Sequence, residues 1–143
     1  MDASVQRRTL WMVLFFAAVY LVIGIAFAAF SDGATTNAMH LIWRRLAWLV
    51  SGLAFAAHII YEHFGRSKPP RTTALNASAA AALGAGGLAV AANIHEWMAG
   101  PRYRLSMVVA LVAWPLLTLV PAFLVAMIGA TVLNRWFPRS EAK

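Results

Sequence analysis

The sequence predicts an all-α membrane protein: four transmembrane helices in an up-down-up-down bundle, with the N- and C-termini cytoplasmic. Three observations carry this. Of the 143 residues, 62% are hydrophobic and only 12% are charged, whereas soluble domains run at about 45–50% apolar and about 25% charged. The apolar residues fall into four stretches, 10–30, 43–64, 74–94 and 105–133. Each is at least as long as the ~18–20 residues a bilayer crossing needs. Inside lipid every backbone N–H and C=O must be paired within its own segment, which leaves helix as the state of each stretch.

The first stretch follows Arg7 and Arg8 and resembles a signal peptide at its start. Its 21 apolar residues exceed the about 7–15 of a signal core, so it is expected to remain as a span. Trp11, Phe15, Phe16, Tyr20 and Phe27 make it bulky, and it reads as a lipid-facing helix. Residues 31–42 read as the longer external loop. The second stretch carries most of the polar residues found inside any span. Residues 65–73 break the chain at Pro69 and Pro70, since proline neither donates a backbone hydrogen bond nor continues a helix comfortably.

The third stretch is built from small residues. Spacings such as Ala80–Gly84 and Gly87–Ala91 let helix backbones approach closely, so this span is expected at the centre of the packing. Gly100 and Pro101 make the turn of a second external loop over 96–104. The fourth stretch contains Pro115 and Pro121, which predict a kink held in place by its neighbours. Trp43, Trp97 and Trp136 suit the membrane–water boundary. Short connections make sequential helices antiparallel neighbours, and the whole chain reads as one four-span domain.

Orientation follows from the basic residues. Arg7, Arg8, Arg66, Lys68, Arg71, Arg135, Arg139 and Lys143 lie on one side, and Arg44, Arg45, Arg102 and Arg104 on the other. The richer side faces the cytoplasm, and the expected location is the inner (plasma) membrane of a bacterium. The net charge of +7 sits at the ends of apolar stretches. It therefore points to lipid headgroups rather than to nucleic acid. With no cysteine, disulfides, thiolate metal sites and thiol redox chemistry are excluded.

Ionisable groups within a span are costly, and so they mark candidate sites. Ser51, His58 and Glu62 stand seven and four residues apart, which places them on one face of the second helix, with Arg44 extending that face outward. An antiparallel third span brings Asn76 and Ser78 to the same depth. These five residues form the expected intramembrane polar cluster, able to take a proton, a cation or a polar ligand group. The alternative is structural: Glu62 pairs with Arg66 one turn on, and His58 pins helices together.

The segment His58-Ile59-Ile60-Tyr61-Glu62-His63 resembles a zinc-protease motif, but its histidines are five apart rather than four and diverge around an α-helix. No metal site is expected there. Asp32, His40, His95 and Glu96 near the external side match no ligand spacing either. Haem could use a single axial His58 or His95, while the two lie too far apart along the bundle to share one iron. No catalytic residue set is visible, and Gly84, Gly86 and Gly87 follow no strand, so they make no dinucleotide loop.

The leading expectation is a non-enzymatic subunit that associates with itself or with another membrane protein. A small transporter or channel using His58 and Glu62 is the alternative, and a haem- or pigment-binding subunit comes third.

Overall fold

A computed structural model describes residues 3–66, 68–98, 100 and 105–137. Its four α-helices are α1 (Ala3–Asp32), α2 (Asn37–Ile60), α3 (Pro70–Met98) and α4 (Leu105–Trp136). A π-helical turn, Tyr61–Gly65, extends α2. Among the described residues there is no strand. Three helices, α1, α3 and α4, are long and apolar enough to cross a membrane. The remaining apolar stretch, the second (43–64), in α2 and the π turn, is interrupted by Arg44, Arg45 and His58.

The helices run past the expected limits. α1 starts seven residues before position 10, and α2 starts at Asn37 rather than at 43. The connection expected over 31–42 shrinks accordingly, because Thr36 caps α2: its hydroxyl accepts the backbone N–H of Met39 at 3.3 Å. A threonine there satisfies a donor that the helix start would otherwise leave open. α3 opens on Pro70, whose missing N–H would have had no helical partner anyway. Gly100 adopts φ +140°, a left-handed conformation that favours glycine. Pro101, Arg102 and Arg104 of that connection, and Arg139 and Lys143 of the C-terminal segment, lie outside the described residues.

α3 packs most extensively against α4 and next against α1, while α1 also packs against α2. α2 meets α3 and α4 only sparingly. The central place expected for the third span is therefore what the packing has. Its glycines explain how. A Cβ on Gly84 would stand 2.7 Å from Tyr20 Cβ and 3.1 Å from the Ala17 carbonyl oxygen, so only a bare Cα lets α1 come this close. Gly86 lies against Pro115 of α4 in the same manner, its would-be Cβ 3.3 Å from the ring. Asn93 adds a polar tie, donating to the Ala89 and Met107 carbonyls at 2.8 and 3.1 Å.

The lipid-facing reading of the first span needs correction. Val13, Ala17 and Tyr20 are buried along one stripe of α1, while Trp11 and Phe15 are exposed on another. Aromatic bulk alone did not reveal that α3 offers glycines opposite this stripe. α4 runs as one helix through Pro115 and Pro121.

Two apolar clusters fill the interior. Ile59, Ala74, Ala77, Ala126 and Ala130 form one, where α2, α3 and α4 meet. Val13, Tyr20 and Ala80 form the other, between α1 and α3. His63 Nε2 donates to the Phe137 carbonyl at 3.3 Å, which ties the end of α4 to the π turn. The start of α1, the π turn, the start of α3 and the end of α4 thus share one end of the molecule.

Candidate functional site

The π turn decides which side chains point inward at that end. In an α-helix, positions 58 and 62 share a face and position 63 does not. The i→i+5 bonding of a π turn widens the helix by one residue per turn. Here it buries both Glu62 and His63, together with His58. Thr73 and Ser78 of α3 complete the buried polar set. A helical period of 3.6 applied to the sequence places His63 away from this face, so it was missed. No local sequence feature marks a π turn.

Glu62 is fully buried and well supplied with donors. Asn76 Nδ2 donates to Oε2 at 3.0 Å, and Arg66 Nη1 donates to Oε1 at 3.4 Å. A buried carboxylate needs both charge compensation and hydrogen bonds, and this one has each. Arg66 continues to α1, where its Nη2 donates to Thr9 Oγ1 at 2.9 Å. Lys68 Nζ donates to the same oxygen at 3.2 Å. The Thr9 hydroxyl in turn donates to the Val5 carbonyl at 3.0 Å. One continuous polar chain therefore runs Asn76–Glu62–Arg66–Thr9–Lys68 and links α3, the π turn, α1 and the segment before α3.

His58 stands apart from that chain. Its ring lies flat on Phe16, centroids 3.8 Å apart and planes 4° from parallel. It is fully buried, and neither Nδ1 nor Nε2 has a hydrogen-bond partner among the described residues. The hydroxyl of Tyr20 is buried and unpartnered in the same sense. Buried polar atoms are nearly always paired, so each such atom calls for a reason.

Of the five residues expected to cluster, Glu62 and Asn76 are joined directly. His58 is buried one turn before Glu62 without a bond to it. Ser78 is buried but turns its hydroxyl onto its own helix, donating to the Leu75 carbonyl at 3.2 Å. Ser51 is half-buried and has no hydrogen bond to the group; two turns of helix carry it beyond reach. Arg66 pairs with Glu62 as the sequence spacing suggests, whereas the link of Arg66 and Lys68 to Thr9 was missed because Thr9 lies 57 residues from Arg66 in sequence. Only their shared position at the ends of apolar stretches could have paired them.

At the opposite end, His40 Nδ1 shares a hydrogen bond with Ser31 Oγ at 2.9 Å, while Asp32, His95 and Glu96 are exposed. Among the described residues no three side chains of metal-binding type gather. The two ring nitrogens of His58 are the buried side-chain nitrogens left without a hydrogen bond among the described residues. Searched against protein-family models, curated proteins and solved structures, the chain matches none.

Proposed function

We propose that all four helices cross the inner membrane of a bacterium, with both termini cytoplasmic, and that the protein is a non-enzymatic subunit that associates with a second copy through α2. The observation that carries this is the outward face of α2. Gly52 and Ala56, four residues apart, are both exposed, and nothing lies within 4 Å of where a Gly52 Cβ would stand. Small residues at this spacing are what lets two membrane helices meet backbone to backbone. The glycines of α3 already have such neighbours; Gly52 does not. Trp48, Leu49 and Leu53 flank it and are exposed as well. α2 also carries exposed Arg44 and Arg45, making it the helix least suited to face lipid alone.

Size determination of the detergent-solubilised protein tests the reading. The wild type is expected to be a dimer or larger, and Gly52→Leu a monomer of unchanged helicity. A wild type that is monomeric at all concentrations sinks self-association.

A second reading, proton or cation movement through the bundle, is favoured by one observation: the two unpartnered nitrogens of buried His58. Histidine is the side chain best suited to exchange a proton near neutral pH. In vesicles holding a pH-sensitive dye, His58→Gln would then abolish proton flux that the wild type supports. Equal flux from both proteins removes this reading.

A further inference from the structure

We infer that α1 and α2 build an internal water-binding site between them, with the hydroxyl of Tyr20 and the ring of His58 as its two ligands. The inference stands apart from how copies associate and from whether protons cross the bundle. Three polar atoms carry it. Tyr20 Oη, His58 Nδ1 and His58 Nε2 are buried without a hydrogen-bond partner among the described residues, on side chains only 8% and 0% exposed. A buried polar atom left unpaired bears its full desolvation penalty. The other buried polar groups at this end are engaged: Glu62 with Asn76, Thr73 with the Lys68 carbonyl and Ser78 with the Leu75 carbonyl.

The register of the two helices brings these atoms together. α1 and α2 run antiparallel, with Phe30 on Trp43, Tyr20 beside Phe55 and Phe16 on His58. Tyr20 thus stands level with Phe55, and His58 lies three residues on, an offset of about 5 Å at ~1.5 Å per residue. Side chains lean toward the N-terminus of their own helix. In an antiparallel pair this tilts Tyr20 toward the level of His58 and His58 toward the level of Tyr20. One water, with a hydrogen bond of about 2.8 Å on each side, spans such an offset.

The surroundings select water as the guest. Phe16 lies flat on the imidazole, its plane 4° from parallel. It covers a face of the ring and leaves the edge, where both nitrogens bond, clear of its own atoms. Phe16 and Phe55 pack against the cluster that holds Tyr20, and its other neighbours, Ala54, Ala79 and Ala81, are small and have no polar side-chain atom. A cation would find its nearest carboxylate, Glu62, already engaged by Arg66 and Asn76. Water both donates and accepts, so it pairs with the hydroxyl and with an imidazole nitrogen in either tautomer. Internal waters bond to the buried polar groups that a protein leaves unpaired.

The test uses the full chain in detergent micelles with isotope-labelled histidine, and reads magnetisation transfer from water to the ring hydrogens of His58. His58→Phe identifies those signals by their loss and keeps a flat ring on Phe16. The wild type is expected to show the transfer, and Tyr20→Phe, which removes one oxygen and keeps the ring, to lose it. Unfolding of the two single variants and the double variant supplies a second readout. Two ligands of one water are coupled, so the double variant should depart from additivity by about fivefold in the unfolding equilibrium. A folded wild type without transfer at His58 overturns the site, and then any coupling reports a direct bond between the two side chains. Transfer undiminished in Tyr20→Phe, or additive variants, overturns it as well, because the water would not be held by the pair.

Discussion

α2 and α3 are held in the molecule by opposite means. α3 is gripped along its length by backbone proximity: Gly84 against Tyr20 and Ala17, Gly86 against Pro115. α2 is fastened at one end by polar side chains, through Glu62 to Asn76 and through Arg66 to Thr9, while Trp48, Leu49 and Leu53 remain exposed. Close packing needs no charge and spreads its effect over many weak contacts. A polar fastening concentrates its effect in a few groups, and it fails sharply if one is removed. α2 also packs against α1, with Trp43 stacked on Phe30 near its other end, yet the face that carries Gly52 stays open to a partner, as proposed.

The largest effect should come from breaking the fastening. Glu62→Ala leaves the Arg66 guanidinium without its counter-ion and Asn76 without its acceptor, an expected loss of about 3 kcal/mol. Thermal unfolding in detergent measures it, and proteolysis should then cut first at the junction after α2. A change below about 0.5 kcal/mol would mean that the ion pair does not secure α2. Next comes the close approach. Gly84→Leu drives a side chain into the α1 backbone, and overpacking of this kind is worth about 1–3 kcal/mol. Its signature differs, since a cross-link between α1 and α3 should be lost while one between α2 and α3 near Asn76 survives. The smallest effect belongs to Asn93→Leu. It removes the donor to Met107 but adds apolar volume, and hydrogen bonds between membrane helices average about 0.6 kcal/mol. A loss comparable to that of Gly84→Leu would show that α3 depends on polar ties as much as α2 does.

The gross arrangement was legible because hydropathy and length report directly on helices of this size. The boundary at α2 was not: Asn37 and His40 read as loop residues, although Thr36-Asn37-Ala38-Met39 is a helix start once threonine is seen as a cap. The pairing of Glu62 with Asn76 was legible from depth alone, because a short connection fixes where an antiparallel neighbour stands. Ser51 was included on the strength of its face, yet sharing a face says nothing about height. His63 stayed hidden because a helical period was assumed to continue through a stretch where it changes. Thr9 stayed hidden because its partners reach it through the third dimension, from the far end of a different helix.

The π turn at Tyr61–Gly65 has a consequence for how this chain tolerates insertion and deletion. It is the form a helix takes when one residue is added while both its ends stay anchored. One extra codon is enough to set an acid and a histidine side by side on an inward surface. The reverse event, such as deletion of Phe64, would act as a local change of register rather than a shortening. α2 would keep its height, the 65–73 connection would still reach α3, and the turn would return to α-helical bonding, in which positions 62 and 63 no longer share the inward face.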